Sequence, residues 1–484
     1  MSFLDTLINA VSPKRAYERA LWRQELTNLR SYDAGSFDRL NAAWRVINES
    51  AEMGDRSSRD VIRARSRDLE QNSDIANAIL AAHKRNVIGS GFTLQAKTGD
   101  EVLDELIEDY WKAWCRKENC DVTGVQSFNQ ILRMAVIRKK VDGGILILKR
   151  YTKGGVVPFK LQTIEVDELD SGVFAPRNKE NKIAGGIEYN SFNKAVGYYI
   201  RQYQLDGMIS EPVYIPAKDV IFYFTKRRPS QVREMSDMVT SITRIRDINE
   251  FMTAVAVKER IAACLAVFIK KVLPQGITGR NVSKPMAGSG GYGSKNLTPG
   301  MITELNPGDD IGVVDPKSQS IDATNFLKLQ QRLIGSGQGL SYEAVSRDMS
   351  ETNYSSARQG AIEDELTYAE EVEALRETVM DEIYETFVIS LYLCGKLELA
   401  DFWDNPRKYL KHNWVSPAKK WIDPQKESNA NKIALLTGQK SYQQIAAESG
   451  KDWKEIIDEN AEAMEYAKSK GITIMGGGDA VGEK

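Results

Sequence analysis

Apolar residues recur every three or four positions at Ile362, Leu366, Ala369, Val372, Leu375, Val379, Ile383, Phe387 and Leu391, until Gly395 offers a stop. The spacing predicts one helix of about forty residues, a rod on the order of 60 Å at roughly 1.5 Å per residue. Before it lies SRDMSETNYSS, residues 346–356, with no apolar period and no Gly or Pro. A polar loop of this kind takes its order from neighbours, and Ser355 or Ser356 is the predicted N-cap of the rod, since a hydroxyl there accepts from the first-turn N–H groups.

Elsewhere the period alternates between helix and strand. Residues 1–55 read as amphipathic helix broken at Pro13 and Gly35, with Trp22, Leu26, Leu29, Leu40, Trp44 and Ile47 as packing residues, the look of an arm that docks on a neighbour. Helices follow at 74–87, 101–116 and 127–140, with a strand at 92–95. From 144 to 224 the period shortens to that of strands, at 145–148, 159–163, 186–189, 197–200 and 220–224, between Gly, Pro and Asn signals. Residues 231–265 predict a long helix bent near 247–249, and 322–334 a shorter one, with short β runs at 266–269 and 311–314 between them. Segment 400–424 reads as an irregular crossing anchored by Trp403, Trp414 and Trp421, followed by helices at 425–436, 442–448 and 452–469 and a glycine tail. The fold class is α+β, helix-rich, with a mainly antiparallel sheet.

Composition narrows the function classes. The 484 residues, 42% hydrophobic and 27% charged, are enough for a large core divided into several regions. Sixty-five basic against sixty-seven acidic residues give a formal charge of −2, so any contact with nucleic acid is local. The start of the chain has no leader pattern, and the longest apolar runs are about half of the roughly twenty residues a membrane span needs. Cys115, Cys120, Cys264 and Cys394 lack metal-ligand spacing and read as reduced, buried thiols.

Charge is nevertheless segregated along the chain. Residues 56–67 hold five arginines against Asp60, read either as a solvated helix face or as a contact for phosphate or an acidic partner. Segment 265–303 carries Lys270, Lys271, Arg280, Lys284 and Lys295 and no acid, with seven glycines between 276 and 300. The rod carries ten carboxylates between 355 and 385 against Arg358 and Arg376, either solvated surface or, in repeated copies, the lining of a space that repels a polyanion. Gly288-Ser289-Gly290-Gly291-Tyr292-Gly293 has the letters of a dinucleotide loop without the strand and helix that such a loop joins. With two histidines, no phosphate loop and no compact carboxylate cluster, the sequence predicts no catalytic site, no metal and no cofactor.

One set of motifs resembles a known family. Gly339-Leu340-Ser341-Tyr342-Glu343-Ala344-Val345-Ser346-Arg347-Asp348, followed by Asn353-Tyr354-Ser355-Ser356-Ala357-Arg358, looks like the signature of lambda-type bacteriophage portal proteins. Three more stretches agree in the family's order: Arg63-Ala64-Arg65-Ser66-Arg67-Asp68-Leu69 with Asn86-Val87-Ile88-Gly89-Ser90-Gly91-Phe92, Arg228-Pro229-Ser230-Gln231-Val232-Arg233, and Trp421-Ile422-Asp423-Pro424-Gln425-Lys426-Glu427. The family's turn carries glycine where this chain has Ser230 and Glu234, which puts the tightness of that turn in question.

The resemblance implies a non-enzymatic subunit of a ring, usually a dodecamer, at the unique vertex of a capsid, assembled in the host cytoplasm and retained in the virion. Double-stranded DNA would pass its channel. Partners would be further copies of the chain, the terminase large subunit, a head-completion or adaptor protein, and the major capsid and scaffold proteins, with no membrane. The implied map is an N-terminal arm (1–55), an α+β wing (56–230), a first stem helix region (231–265), a clip (266–320), a second stem helix (321–338), a channel loop (339–356), a long helix returning to the wing (357–424) and a helical crown with tail (425–484). The implied channel residues are Arg347, Asp348, Ser350, Glu351, Asn353 and Tyr354; the basic clip surface is Lys270, Lys271, Arg280, Lys284 and Lys295. A nucleic-acid-processing enzyme of the packaging apparatus, and a minor capsid or scaffold-binding protein without a channel, are the alternatives.

Overall fold

The structure is a computed structural model, and it describes residues 12–28, 39, 43–44, 46–204, 208–264, 268–269, 303–304, 320–351, 353–418 and 423–472. Strand β1 (Thr93–Ala96) pairs antiparallel with β11 (His412–Val415), Leu94 opposite Trp414. Strands β2 (Gly144–Tyr151), β3 (Phe159–Ile164) and β8 (Val220–Phe224) form one antiparallel sheet in the order β3-β2-β8. Strands β4 (Lys182–Ala184), β5 (Ile187–Tyr189), β6 (Ala195–Ile200) and β7 (Val213–Pro216) form another, in chain order and antiparallel throughout. Two-residue strands β9 (Phe268–Ile269) and β10 (Thr303–Glu304) pair in parallel; the strand expected at 311–314 lies outside the described residues.

The unbroken apolar run of β2 has a physical reason. Ile145 and Ile147 enter the main helical core, while Leu146 and Leu148 enter a second core shared with Ile187, Tyr198 and Ile215 of the four-stranded sheet. A strand covered on both faces has no polar side to alternate with. The main core is organised around rings: Trp114 stacks on Phe159 at 5.4 Å and donates its Nε1–H to the Phe159 carbonyl at 2.8 Å, and Trp111 meets Phe128, Phe387 and Trp414. Each helix beside them begins on a cap, with Asp100 accepting from Val102 and Leu103, and Ser127 forming a reciprocal box with Gln130. Gly143, at φ 93°, ends Phe128–Asp142 where a Cβ would lie 2.5 Å from the Met235 carbonyl carbon, so only glycine allows this approach.

Several expectations are corrected. Residues 231–241 are not helical; the helix is Ile242–Cys264, uninterrupted through 247–249. The preceding turn instead inserts charge into the interior: Arg233 and Glu234 are buried and bonded to each other, and Arg233 also donates to the carbonyls of Gly185 (2.7 Å) and Val166 (3.0 Å). Those bonds hold a guanidinium that burial alone would disfavour. The arginines of 56–67 are correspondingly not a uniform solvated face, since three of the five pair with carboxylates of the fold. On helix Arg59–Asn72, Arg63 reaches Glu234 at 2.9 Å and Asp167 at 3.0 Å, Arg59 reaches Glu52 at 2.6 Å, and Arg67 holds Asp142 and Asp167, each at 2.6 Å. Arg56 and Arg65 alone of the five are exposed. The two departures from the family's glycines are used: Glu234 sits in this cluster, and Ser230 Oγ accepts from Ala51 N at 2.9 Å.

Smaller corrections concern the ends of elements. Pro13 opens the helix Pro13–Asn28, as suits a residue without an N–H at a helix start; Trp22, Trp44 and Ile47 are exposed, and Leu29, Leu40, Gly35 and the side chain of Leu26 lie outside what is described. The helix expected at 322–334 spans Ser320–Gln338, passing through Gly335, where a Cβ would sit 2.6 Å from the Leu340 carbonyl oxygen. Trp414 anchors as expected, whereas Trp403 is exposed and Trp421 lies outside the described residues. Cys120 is buried, and burial, with Asp121 beside it, pushes its thiol up to about 12; Cys394 is exposed.

The rod is real but its inner face is not the expected one. Helix Tyr354–Leu375, a π turn Arg376–Met380 and helix Asp381–Leu393 follow without a break. The second half buries the apolar stripe, with Val379, Ile383, Phe387 and Leu391 inaccessible. The first half turns Asp364, Tyr368 and Glu371 inward and leaves Ile362 and Leu366 exposed at 45% and 64%. Glu371 decides this. Its carboxylate accepts from Lys139 Nζ at 2.7 and 2.9 Å and from Tyr223 OH at 2.6 Å, with Lys140 Nζ at 3.3 Å; Asp237 stands 3.4 Å from Lys139 and is held by Arg227 at 2.8 Å. Burial opposes the charge on Glu371, but Lys140 and Lys139, with the Tyr223 hydroxyl, outweigh it and pull the carboxyl down to about 2. His83, against the Tyr368 ring at 5.4 Å, is driven down to about 3 by burial and then by Lys140, and stays neutral.

Glu371→Gln removes the nearer carboxylate and leaves two buried ammonium groups facing Asp237 alone, at 3.4 and 3.5 Å; the expected cost is up to about 3–5 kcal/mol, the range for breaking a buried pair. Guanidinium unfolding at neutral pH measures it. Because the folded carboxyl titrates below its ordinary range, its contribution is fully present above a pH of about 4.5 and is lost as the pH falls toward about 2. The variant is expected to lose stability less steeply than the parent across that window.

Candidate functional site

The polar segment ahead of the rod is more structured than its composition predicts. Ser341 caps a short helix, Tyr342–Ser346, by accepting from Ala344 N at 3.2 Å. Its own backbone N–H and hydroxyl donate to Asp364 of the rod at 2.6 and 2.7 Å, so one inward carboxylate fixes the loop's entrance. Arg347 ends the short helix in the left-handed region at φ 57°, an uncommon conformation for a side chain with a Cβ, and its backbone N–H closes on the Glu343 carbonyl. Past this corner Asp348 gathers the loop: Ser350 donates to it from N (3.0 Å) and Oγ (2.6 Å), and Tyr342 OH from 3.2 Å. The Ser350 hydroxyl and N–H hold the Asp348 carboxyl below its usual range.

The exit is fixed by Asn353, whose side chain accepts from Ser356 N at 2.9 Å. Asn353, not Ser355 or Ser356, is therefore the cap, and Tyr354 is the first helical residue. The far side of the loop is tied to helix Ser320–Gln338, where Lys328 Nζ meets Glu351 at 2.7 Å and the Arg332 guanidinium lies 5.4 Å from the Tyr342 ring centre. Arg347 is exposed and has no ion-pair partner among the described residues.

The sequence-predicted residues Arg347, Asp348, Ser350, Glu351 and Asn353 thus stand on one short loop, as their numbering requires, and Tyr354 opens the helix that follows. Lys328, Arg332 and Asp364 were not singled out from the sequence as site residues, and Tyr342 entered only as part of the family-like stretch. Only Ser341, three residues before Ala344, gave a local sign of a cap; nothing local marks Lys328 or Asp364 as its neighbours. Lys270, Lys271, Arg280, Lys284 and Lys295 lie outside the described residues. Among the rod's ten carboxylates, Asp364, Glu371, Asp381 and Glu382 bond to other parts of the fold and Glu363 accepts from Gln359 of the rod itself at 3.0 Å: Asp381 accepts from Trp414 Nε1 at 2.7 Å and faces His412 at 3.1 Å, and Glu382 pairs with Lys149 at 2.7 Å. Among the described residues no group of three His, Cys, Asp or Glu could hold a metal ion, and no helix is long and apolar enough to cross a membrane.

Residues 37–371 match the family model described as phage portal protein, lambda family. The chain belongs to that family. Similar proteins run along nearly the whole length. A probable portal protein of Halomonas phage phiHAP-1 is 24% identical, over 93% of this chain and 89% of the relative. The portal protein of Escherichia phage N15 is 21% identical over 91% of both chains, and portal protein B of Escherichia phage lambda is 20% identical over 84% of both. Among solved structures, a chain from the neck of an empty gene transfer agent particle, computed with C6 symmetry, is 12% identical with a TM-score of 0.41, over 80% of this chain and 93% of the other. A chain from the neck of the native particle, computed with C12 symmetry, is 13% identical with a TM-score of 0.38, over 82% and 99%. Within this portal-family chain, the stretch that resembles the family's signature is the loop just described.

Removing the Asp364 carboxylate frees the Ser341 N–H and hydroxyl together. Asp364→Ala is expected to cost about 1–3 kcal/mol, the range for leaving a partly buried donor unpaired. Hydrogen exchange should quicken at 341–351 while the β2–β8 sheet keeps its protection; unchanged exchange in the loop would show that Asp364 does not hold it.

Proposed function

We propose that the chain is a ring-forming portal subunit, a dodecamer in the working state, that conducts double-stranded DNA during packaging and ejection. It docks the terminase large subunit and later a head-completion or adaptor protein, and nucleates procapsid assembly with capsid and scaffold proteins. It acts without a catalytic site or cofactor, in the host cytoplasm during assembly and at the vertex of the virion thereafter. The observation that carries this reading is the family match, joined to portal relatives aligned over 84–93% of the chain.

The geometry of 341–353 supports a role for the loop at the channel. It is held at entrance, centre and exit, and presents at a backbone corner the Arg347 guanidinium, which has no ion-pair partner among the described residues. One cation per copy, repeated around a ring, contacts phosphates at discrete points without forming a continuous adhesive surface. In this reading Ser320–Gln338 and Ile242–Cys264 are the stem, the basic segment around Lys270–Lys295 in sequence is the clip, and 425–472 belongs to the crown.

Electron microscopy of the purified chain is expected to show rings with an axial hole; a monomer under all conditions, or discs without a hole, contradicts the proposal, as does metal-dependent nuclease or ATPase activity. Arg347→Ala is expected to form rings yet reduce the DNA packaged or retained per particle; full genomes in that variant would assign the constriction to the loop's shape. Replacing Lys270, Lys271, Arg280 and Lys284 together by Ala should leave rings intact and weaken motor docking, measured as packaging in extracts. Normal packaging would make that charge a solubilising surface only.

A further inference from the structure

Two cations of helix Ser320–Gln338, four residues apart and so on one face, reach across to the loop. Arg332 lies over the Tyr342 ring, in a part of the loop that Ser341 and Asp364 already fix. Lys328 is placed differently. Its ammonium meets the Glu351 carboxylate at 2.7 Å, joining the far end of the loop to the helix, and the pair stands at the surface, with the Glu351 side chain 71% exposed. The Glu351 carboxylate, with Tyr342 and Asp348 beyond it, holds the Lys328 ammonium above its ordinary range. Lys328 is therefore a fully charged cation whose charge is covered by one exposed acid.

Such a pair exchanges partners readily. Exposed ion pairs are weak and screened by salt, unlike the buried bonds of Glu371 and Asp364 that hold the rod and the loop's entrance. An ammonium is a compact point charge, and carboxylate and phosphate oxygens are interchangeable ligands for it. Duplex DNA carries about one phosphate charge per 1.7 Å of its axis, so beside DNA the single carboxylate of Glu351 competes with many anionic oxygens. Arg347, four residues earlier on the same loop, shows the other condition: exposed and with no ion-pair partner among the described residues. The loop region thus presents one uncovered cation and one covered cation.

We propose that Glu351 is a built-in stand-in for phosphate, which occupies Lys328 until the backbone of DNA displaces it, and that Lys328 is then a second phosphate contact beside Arg347. The inference rests on the channel reading above and adds to it a residue outside the loop and a way for contact to be felt by the loop. When a phosphate takes Lys328, Glu351 loses its partner and is repelled by the same phosphate, so the tie between the loop and helix Ser320–Gln338 opens. Asp364 and Asn353 keep the loop's two ends in place meanwhile. The exchange replaces one ion pair by another, which lets DNA contact the wall without being held there.

The test uses rings of the full chain, checked by electron microscopy and thermal melting, and a short DNA duplex whose binding is followed by fluorescence anisotropy over a salt series. Glu351→Gln should tighten binding about threefold or more, and Lys328→Gln should weaken it by as much and flatten the salt dependence. The decisive variant carries both changes. Because Glu351 acts through Lys328, the double variant should bind as Lys328→Gln does, whereas Lys328→Arg should leave the effect of Glu351→Gln in place. Without DNA, each single change should quicken hydrogen exchange at 347–353 and leave β2 protected. A gain from Glu351→Gln that persists in full without Lys328 is a general charge effect and overturns the exchange, as does binding indifferent to Lys328; either result leaves the channel reading intact. A parent chain that forms no rings, or rings that bind no duplex, overturns both.

Discussion

A single buried carboxylate sets the arrangement of this protein. Glu371 lies between two lysines of helix Phe128–Asp142 and the hydroxyl of Tyr223 on β8, and so binds the rod to the sheet and to the helix beside it at one point. An ion in the interior is tolerated only when its partners are in place, which makes the contact a constraint on geometry more than a source of net stability. Once it is satisfied, the rod's rotation about its axis is fixed. Asp364, two turns earlier on the same side, then faces Ser341, and Ile362 and Leu366 face away. The loop's position and the free face of the rod are two outcomes of the same rotation.

A second set of buried charges does similar work at the base of Ile242–Cys264. Arg233 and Glu234 tie the turn before that helix to Arg63 and to the carbonyls of Val166 and Gly185, so helix Arg59–Asn72, the two sheets and the helix root meet in one cluster. Glu234 stands where the resemblance to the family leads one to expect a glycine. The extra carboxylate does not loosen the turn, because Arg63 and Arg233 both bond to it in a site from which water is excluded.

How much of this was legible in the sequence depends on the range of the force involved. The period of Val379, Ile383, Phe387 and Leu391 gave the second half of the rod, its length and its buried face, because apolar burial there dominates and acts through local spacing. The ILIL run of β2 gave a strand, and Gly395 gave a correct end. The same apolar rule failed at Ile362 and Leu366, where the face was chosen by an ion pair between residues 232 apart in the chain. It failed again at 231–241, since nothing in Gln231-Val232-Arg233-Glu234 announces that its charges are buried. Of the channel loop, the membership was legible from the motif, and the ties through Lys328 and Asp364 were not.

The π turn Arg376–Met380 joins the two halves of the rod, one burying polar residues and the other apolar ones. A turn with i→i+5 bonding takes in one more residue than an α-helix would use for the same stretch. It is therefore the place where the rod can gain or lose a residue without rotating either half, by about 100° per residue, away from its own partners. Insertions or deletions elsewhere between 364 and 391 would turn Glu371 from its lysines or Phe387 from the tryptophans. In this sense the five residues act as a phase adjuster, letting the half that meets the loop and the half that fills the core vary in register independently.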